Sequence, residues 1–428
     1  MPGCLGFKDP LCFCLIASSM VVTTQLTGKD RQAFQRDPCL PGHPDPYWIY
    51  GALLRDSPVQ WCEGPGLWVV LGHSESEALM RDPRCRRQDH LDKLIQRFGD
   101  ERIFRRQQGD IPYMDGERHN RMRQHVMSAF SGIDLVALDR FCTQVINTCL
   151  DSVSPGSWFD LVNVLANSLP LLVSSELMGV PQELQGEVLD QVGHFVRARG
   201  LIQTEETAKD GDEAMNVYRR FFTPLIEKRR AQPGDDVLSR LLVDRKGKET
   251  LSNEQLLLIV SSNFYSASIY TVPLLISNAA HLLAHQPEVL EQLRREPALV
   301  EHAVEEFLRY DPPAQAINIG AVREPIEIAG QMIPAGASLT ALVGAANRDP
   351  RAFDAPDTFV VNRHPNPHLS FAPGLHQCLG LHLARLEMRA ILRALIERCH
   401  RLEVDESRSN RLVADRFRGF EQLTVRML

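Results

Sequence analysis

The chain has 428 residues, of which 44% are hydrophobic and 24% are charged, and its formal net charge is −7 at pH 7. This composition is typical of a globular protein, and the acidic balance argues against nucleic-acid binding, which needs a basic face. The ten cysteines, from Cys4 to Cys399, follow no regular spacing. They favour reduced thiols in the cytoplasm over the dense disulfide framework of a small secreted fold.

Residues 1–30 are predicted to be a disordered tail. They contain an uncharged run from Leu11 to Val22, which is much shorter than the ~20 residues that span a bilayer. Two alternatives stay open for this run: the core of a weak signal peptide and, more remotely, a metal site at Cys12 and Cys14. Met20 is an alternative natural start.

Residues 31–428 are predicted to form a single domain, which opens with a short helix and a β-hairpin. Pro46 begins a helical pattern over Asp45–Arg55. The segments Val59–Trp61 and Trp68–Leu71 flank a Gly-Pro-Gly turn and alternate in polarity, which is typical of two paired strands.

The middle of the chain has helical periodicity, and strands return towards the C terminus. Glycine and proline residues separate the segments. The predicted helices are Glu117–Ala129, Val136–Ser152, Phe159–Leu177, Gln182–Ala198, Glu206–Ala231 and Leu381–Cys399. The predicted strands are Ile326–Ile328, Met332–Ile333 and Ser338–Val343. This mixture predicts an α+β fold that is mostly α, with a large helical body and a smaller β-rich region.

Between Glu254 and Glu288 the chain contains no Asp, Glu, Lys or Arg. A run of this length can indicate a transmembrane helix. The run also contains several serines and asparagines and the proline Pro273, and a helix that is apolar on all sides can equally cross the centre of a large soluble protein. We favour the buried helix.

The segment from Phe371 to Gly380 carries the strongest chemical signal. Its glycines and proline permit a tight loop, and Cys378 lies just before a predicted helix, whose N-terminal partial charge favours a thiolate. A lone cysteine in a turn is most often a small buried hydrophobe. The order Phe371, Gly374, His376, Cys378, Gly380 is much rarer than a lone cysteine.

This loop resembles the haem-binding signature of the cytochrome P450 family, Phe-Gly-x-Gly-x-His-x-Cys-x-Gly, with Ala372 in place of one glycine. The resemblance extends from about Asp45 to Leu428 and is greatest for the soluble bacterial type. It implies a cytochrome P450-like fold, with haem b between the central helix and the helix that follows the cysteine loop. The implied metal ligand is the Cys378 thiolate, which favours cleavage of the O–O bond.

The resemblance also implies contacts to the haem from several other residues. His119 and Arg123, at i and i+4 on one helix face, and His376 match residues that bind the propionates. A position that often supplies a further propionate arginine is Gly320 here, so these three residues would carry more of that role. The remaining implied cofactor contacts are Ala267, Phe371, Gly374, Gly380 and Ala384.

A second motif that matches the family is Glu306-x-x-Arg309. On its own, this pair at i, i+3 is most simply a surface ion pair worth ~0–1 kcal/mol. In the family it is a buried structural pair with a third partner, and Arg363 matches that partner. We expect the three residues to fix the core behind the haem loop.

The central helix departs from the family pattern. Ala267 to Val272 resembles the family's Ala-Gly-x-Asp/Glu-Thr-Thr, so the implied catalytic residues are Thr271, Tyr270 and Ser268. Thr271 keeps the hydroxyl that helps to deliver protons, whereas Tyr270 replaces the acid. A phenol, with an ordinary pKa near ~10, carries protons less readily than a carboxylate. Pro273 lacks an N–H group, which leaves a carbonyl without its helical partner and predicts a kink.

The implied activity is that of a haem-thiolate monooxygenase, which inserts one atom of O2 into a small, largely apolar organic substrate, in secondary metabolism. Phe264, Ala267 and Ile317 are the predicted pocket residues. Because of Tyr270, the alternatives are an atypical enzyme, driven by peroxide or making oxidative couplings, and a haem-binding protein without turnover.

The sequence contains no Gly-x-Gly-x-x-Gly fingerprint for a flavin or nicotinamide, so the electrons, derived from NAD(P)H, are expected from separate proteins. The expected partners are a ferredoxin and a ferredoxin reductase, which Arg118, Arg121, Arg385 and Arg389 would help to dock. The substrate is a small molecule that is either free or bound to a carrier protein. We further expect a cytoplasmic monomer without a membrane anchor.

Overall fold

The computed structural model describes residues 26–181, 185–243 and 251–428. The uncharged run, its two cysteines and the alternative start at Met20 lie outside the described residues. The first described helix begins at Gly28, inside the range predicted as a tail, and Thr27 caps it by accepting a hydrogen bond from the backbone N–H of Asp30.

The helical body contains long and short helices that alternate along most of the chain. The helices are α1 (Gly28–Arg36), α2 (Tyr47–Asp56), α3 (His73–Arg81), α4 (Arg87–Phe98), α5 (Ile103–Arg106), α6 (Gly116–Phe130), α7 (Leu135–Asp151), α8 (Ser168–Met178), α9 (Gln185–Arg197), α10 (Glu205–Ala231), α11 (Val237–Leu241), α12 (Asn253–Leu258), α13 (Ala267–His285), α14 (Pro287–Arg295), α15 (Val300–Tyr310), α16 (Val343–Ala346) and α17 (Leu381–Arg398). Two π-helical segments, Val162–Ala166 and Ile259–Ser266, precede α8 and α13.

The strands form one larger sheet and smaller ones on the same domain. They are β1 (Val59–Cys62), β2 (Leu67–Val70), β3 (Cys85–Arg86), β4 (Trp158–Asp160), β5 (Ala316–Val322), β6 (Ile326–Ile328), β7 (Gln331–Ile333), β8 (Ser338–Leu342), β9 (Leu402–Val404), β10 (Asn410–Arg411), β11 (Phe420–Gln422) and β12 (Thr424–Met427). The larger sheet has the order β1-β2-β8-β5-β3, and β4-β12-β9 form a three-stranded sheet.

The central helix, Asn253–His285, comprises α12, the second π-helical segment and α13. It is long and apolar enough to cross a membrane, but 67% of its most apolar window is buried inside the protein. Its apolar residues belong to the main hydrophobic core, which agrees with the predicted buried helix. The serines are accommodated by local hydrogen bonds, such as that from Ser261 Oγ to the Leu257 carbonyl at 2.6 Å.

The three predicted structural residues come together in the core. Arg309 donates two hydrogen bonds of 2.8 Å to the Glu306 carboxylate, and Arg363 Nε lies 3.1 Å from both of its oxygens. Glu306 and Arg309 have side chains that are 0% exposed. The charged groups of such a pair are hydrogen-bonded to each other. Removing one partner would lower the stability of the fold strongly, because it would leave the other as an unpaired buried charge.

Most predicted helix bounds are close to the observed ones. The predicted bounds of α6, α7, α10 and α17 agree to within one residue at each end. The helix predicted over Phe159–Leu177 is wrong at its start, where residues 158–160 form β4. Asp160 accepts hydrogen bonds from the N–H groups of Val162 and Leu423, so pairing with β12 overrides the local helical preference.

Strand β5 and the C-terminal strands lack regular alternation in the sequence and were not predicted. Asn318 and Gly320 interrupt the apolar pattern of β5, where its register with β8 shifts. A shift of this kind breaks the period-two pattern on which strand prediction depends.

Candidate active site

A cavity of about 380 Å³ lies between the central helix and the cysteine loop. Its walls include Cys378 and Ala384 on one side and Ala267 and Thr271 on the other. The predicted contacts Phe371, His376, Gly380, His119 and Arg123 also line it. The two elements expected to enclose a haem therefore face each other across one space.

The cysteine loop is held in a turn by its own backbone. The Cys378 N–H donates to the Phe371 carbonyl at 2.9 Å, and the Gln377 N–H donates to the Gly374 carbonyl at 3.2 Å. Gly374 adopts a φ of 101°, and a Cβ there would lie 3.0 Å from the Met80 carbonyl oxygen. Gly374 thus lies outside the cavity lining, and it shapes the loop where a direct cofactor contact was predicted.

Ala372 has a φ of 52°. This left-handed conformation costs a residue with a Cβ roughly 1–2 kcal/mol, whereas glycine adopts it freely. Glycine is therefore favoured at this position of the family signature because it adopts this φ without strain, whereas Ala372 is strained.

The Cys378 thiol opens onto the cavity at the start of α17. Burial raises the pKa of this thiol, while the Gly380 N–H and the nearby Arg123 and Arg385 guanidinium groups oppose that shift. The net effect raises the pKa above its ordinary value, so the free thiol is protonated at pH 7. Binding to a metal ion would remove the proton. The position suits an axial thiolate ligand.

Basic side chains gather at one edge of the cavity. The rings of His119 and His376 lie 4.4 Å apart, and His376 Nε2 is 3.6 Å from Asp115 Oδ1. His119 Nε2 is buried and has no hydrogen-bond partner among the residues that the structure describes. An unpaired buried donor costs ~1–3 kcal/mol, so this edge fits an acidic group such as a haem propionate. This observation supports the fit of the predicted cofactor.

The oxygen-side wall is formed by the central helix. Thr271 Oγ1 donates its hydrogen to the Ala267 carbonyl at 2.8 Å, and Ser268 and Tyr270 also line the cavity. Burial raises the pKa of Tyr270 to about 12, with a further contribution from Asp415. The ring of Tyr270 packs edge-on against Phe417 at 4.9 Å. The phenol is thus even less acidic than in water.

Comparison with known proteins decides the family. A model of the family described as "Cytochrome P450" matches residues 60–420. The chain is a cytochrome P450. It is therefore an oxidoreductase of the monooxygenase type that works with haem and O2 and takes electrons from a reductant.

Bacterial relatives of this cytochrome P450 are similar over most of their length. It is 30% identical over 389 residues to the biotin biosynthesis cytochrome P450 of Bacillus subtilis (strain 168), covering 89% of this chain and 96% of that one. It is 31% identical to the monooxygenase PikC of Streptomyces venezuelae, covering 85% and 86%. Among solved structures, P450BioI in complex with acyl carrier protein that carries hexadec-9Z-enoic acid has a TM-score of 0.83, at 29% identity, covering 90% and 98%.

The cytochrome P450 cavity contains a further arginine that the sequence analysis missed. Arg87 lines the cavity, and its Nε is buried without a hydrogen-bond partner among the described residues. Burial lowers the pKa of Arg87 to about 10. Burial also lowers the pKa of His376 and of His119, and the charge of Arg87 adds to both shifts. Arg87 therefore belongs to the same basic edge.

The strand pairing explains how Arg87 relates to Gly320. Strands β3 and β5 pair with Arg86 opposite Ala321, and Arg87 follows directly as the first residue of α4. Gly320 has a φ of 128°, and a Cβ there would lie 2.6 Å from the backbone carbon of Arg86. A side chain at position 320 would collide with the Arg86 backbone, and the arginine that lines the cavity is Arg87 at the start of α4. The run of three arginines over residues 84–87 was the only sequence signal, and it could not show which one faces inward.

The far end of the cavity is more polar than predicted. The buried Asp110 carboxylate accepts hydrogen bonds of 2.6 Å from Ser262 and Asn263, and Arg199 lies 3.4 Å away. Arg199 also donates to Ser262 at 2.5 Å. This network ties the segment after α9 to the central helix and to the segment before α6, three segments whose polar residues gave no pattern in the sequence.

Two of the predicted pocket residues, Phe264 and Ile317, differ in their position relative to the cavity. Phe264 lines the cavity and packs against Phe130 at 4.7 Å. Ile317 is not among the residues that line the cavity, and its role in the substrate pocket stays a prediction. It packs against the apolar cluster between the larger sheet and α3, and Pro313 and Ala314 line the cavity in its place.

Proposed function

We propose that this cytochrome P450 holds haem b through Cys378 and inserts one atom of O2 into a small, largely apolar organic substrate of secondary metabolism. The observation that carries the proposal is the position of the Cys378 thiol, which opens onto a cavity whose opposite wall is the Thr271 turn of the central helix. Two further relatives, the 6-deoxyerythronolide B hydroxylase of Saccharopolyspora erythraea and the polyketide biosynthesis cytochrome P450 PksS of Bacillus subtilis (strain 168), support a substrate of this kind. We take residues 31–428 to work as one domain.

The chain's own residues divide the work of binding this cofactor. Cys378 would supply the thiolate that holds the haem iron, and the bound haem would supply the capacity to activate O2. His119, Arg123, His376 and Arg87 would hold the propionates at the basic edge. Ala267, Phe371, Gly380 and Ala384 would pack on the porphyrin faces, because these residues line the two opposed walls.

On the oxygen side, Thr271 is the residue proposed to move a proton. Its hydroxyl donates to the Ala267 carbonyl, so it must turn away from the helix to donate into the cavity, and water or Ser268 would then replace its proton. The Asp110–Arg199 network closes the far end and excludes bulk water from it. These roles need no carboxylate at position 270.

Electrons are proposed to come from NAD(P)H through a separate ferredoxin reductase and ferredoxin. Of the four arginines predicted to dock this partner, Arg385 is engaged with Glu305 at 2.6 Å, and Arg389 lies 3.2 Å from Glu301. Arg118 is exposed and is the better candidate for docking. We further propose a cytoplasmic monomer, and the likeness to P450BioI supports a carrier-bound substrate as one form of the ligand.

The test of the proposal is the thiolate bond. The reduced protein under carbon monoxide should give the Soret band of thiolate-ligated haem, and Cys378→Ser should lose it and all reductant-driven turnover. Cys85→Ser, a half-buried thiol away from the cavity lining, is the matched control and should keep both. A wild-type band typical of imidazole ligation, or no bound porphyrin, would overturn the proposal.

Tyr270 favours a second candidate, an atypical enzyme driven by peroxide. Its raised pKa makes it a poor proton carrier. We expect the wild type and Tyr270→Phe to form product with little peroxide, and Tyr270→Asp to be no better coupled, because Thr271 and water suffice. Abundant peroxide from the wild type that falls in Tyr270→Asp would favour the second candidate. Ligand-induced spin shifts without any turnover would favour a haem-binding protein.

A further inference from the structure

A cluster of potential metal ligands lies at the C-terminal end of the central helix. His281 and His285 are one turn apart on α13, and Glu406 begins the turn that follows β9. One ligand atom from each of the three residues lies within 4.8 Å of the other two. The three residues lie outside the lining of the cavity, so the haem site does not account for them.

The hydrogen bonds of His285 define which of its nitrogens faces the cluster. His285 Nδ1 lies 2.8 Å from the carbonyl oxygen of His281, which can only accept, so Nδ1 carries the hydrogen. In neutral His285 the other nitrogen, Nε2, then carries a lone pair, and it lies 3.3 Å from Glu406 Oε1. Two acceptors face each other across this gap, which is favourable only if a proton or a metal ion lies between them.

His281 completes the arrangement. Its Nε2 lies 2.9 Å from the same oxygen, Oε1 of Glu406, which can only accept, so without a metal ion the Nε2–H group donates to Glu406. A bound ion would replace this hydrogen, and the neutral ring would then carry its proton on Nδ1. A neutral imidazole is the form that binds metal ions.

The surroundings hold these groups in place and leave room for solvent. The His281 ring packs on Phe420 at 4.9 Å, and the Asp405 carboxylate accepts the Ser407 N–H at 3.1 Å, which fixes the turn that carries Glu406. A carbonyl that accepts the second N–H of a histidine is the usual support of a metal-binding imidazole. Side-chain exposures of 53% for His285 and 57% for Glu406 leave an open position for water.

We propose that His281, His285 and Glu406 bind a divalent transition-metal ion, Zn²⁺ in the first instance. Two imidazoles and one carboxylate match the ligand preference of Zn²⁺, with water as a fourth ligand, whereas Ca²⁺ and Mg²⁺ prefer oxygen. The ion would draw the three ligand atoms to ~2.0–2.2 Å from itself. It would tie the end of the central helix to the turn after β9.

The experiment is a titration of haem-loaded, chelator-treated protein with Zn²⁺, followed by calorimetry and by metal analysis after gel filtration. We expect His285→Ala and Glu406→Gln each to bind one equivalent less than the wild type, with the Soret spectrum unchanged. His302→Ala and His400→Ala, at histidines outside the cluster, are the matched controls and should bind as the wild type does. Wild-type stoichiometry in the cluster variants, or no binding by the wild type, would overturn the proposal.

A thermal measurement separates this site from thiols that bind zinc elsewhere. Zn²⁺ should raise the Tm of the wild type because an ion that binds only the folded state stabilises it. The rise should be lost in His285→Ala and kept in His400→Ala. An equal rise in both variants would place the zinc outside the cluster and would contradict the proposal.

Discussion

The two walls of the cavity are built differently. The segment that leads into the cysteine wall is held by the buried Glu306–Arg309–Arg363 group, for example through the hydrogen bond from the Val360 N–H to Glu306 at 2.9 Å, and the loop is held by its own backbone hydrogen bonds. The oxygen wall is a helix that contains a π-helical segment and Pro273, and it is linked to neighbouring segments by the Asp110–Arg199 network. The first wall departs from the family signature at Ala372 alone, whereas the second lacks both the usual acid and the usual glycine. The wall that carries the cysteine shared by the family is thus the rigidly supported one, and the wall that would meet the substrate is the one that varies.

Among the substitutions that test this difference between the two walls, Glu306→Ala should lower the stability of the protein most. Removing the carboxylate leaves two buried guanidinium groups without their partner, which costs about 3–5 kcal/mol. We expect a protein that fails to keep haem, or one whose Tm is far lower. Glu301→Ala, an exposed glutamate on the same helix α15, is the control. Equal stability of the two variants would show that the buried group does not hold the segment that leads into the cysteine wall.

Arg87→Ala should have the next largest effect, at the edge that both walls share. A hydrogen bond to a charged group contributes ~1.5–3 kcal/mol, so haem should dissociate about ten- to a hundredfold more readily. Transfer of haem to an acceptor protein measures this rate without any substrate. Arg87→Lys should recover part of the loss, and Arg84→Ala, an exposed neighbour paired with Asp82, should show none. An unchanged rate in Arg87→Ala would remove it from the propionate site.

The pH dependence of stability tests the cysteine wall at Glu387, which is buried in α17. Burial raises the pKa of this carboxyl to about 8. Its folded form is therefore neutral, so it costs nothing below the unfolded pKa of ~4.3, and it destabilises the fold increasingly as the pH rises towards 8.

Glu387→Gln should remove that dependence and give a more stable protein than the wild type at pH 8. Denaturant unfolding between pH 5 and pH 8 measures the difference. Parallel stability curves for the two proteins would contradict the assignment of a neutral Glu387.

The smallest effect should come from Ala372→Gly in the cysteine loop. The glycine removes the strain of the left-handed conformation, but it also gives the unfolded chain more conformational entropy. The free energy of unfolding should therefore rise by a net amount of roughly 0.5–1 kcal/mol. A small rise in Tm with an unchanged Soret spectrum is the expected result. A fall in Tm would mean that the Ala372 methyl group contributes packing that exceeds its strain.

Those parts of the fold that depend on local sequence could be predicted, and those that depend on long-range pairing could not. The helix after Cys378 follows from periodicity, and the buried Glu306–Arg309–Arg363 group follows from a motif. Residues 158–160 look helical but form a strand because the C-terminal segment pairs with them. Arg87 was missed because it begins α4 directly after the short strand β3, and only the three-dimensional structure shows that it lines the cavity.

The hydrogen bond from Thr271 to the Ala267 carbonyl has a practical consequence for ligand screening. Because the hydroxyl hydrogen is directed into the helix, the oxygen wall offers mainly lone pairs to an incoming molecule at this turn. Compounds that bring an alcohol or amine group to this position would find a ready acceptor. A library intended to reveal the natural ligand should therefore be enriched in aliphatic molecules with a single donor group.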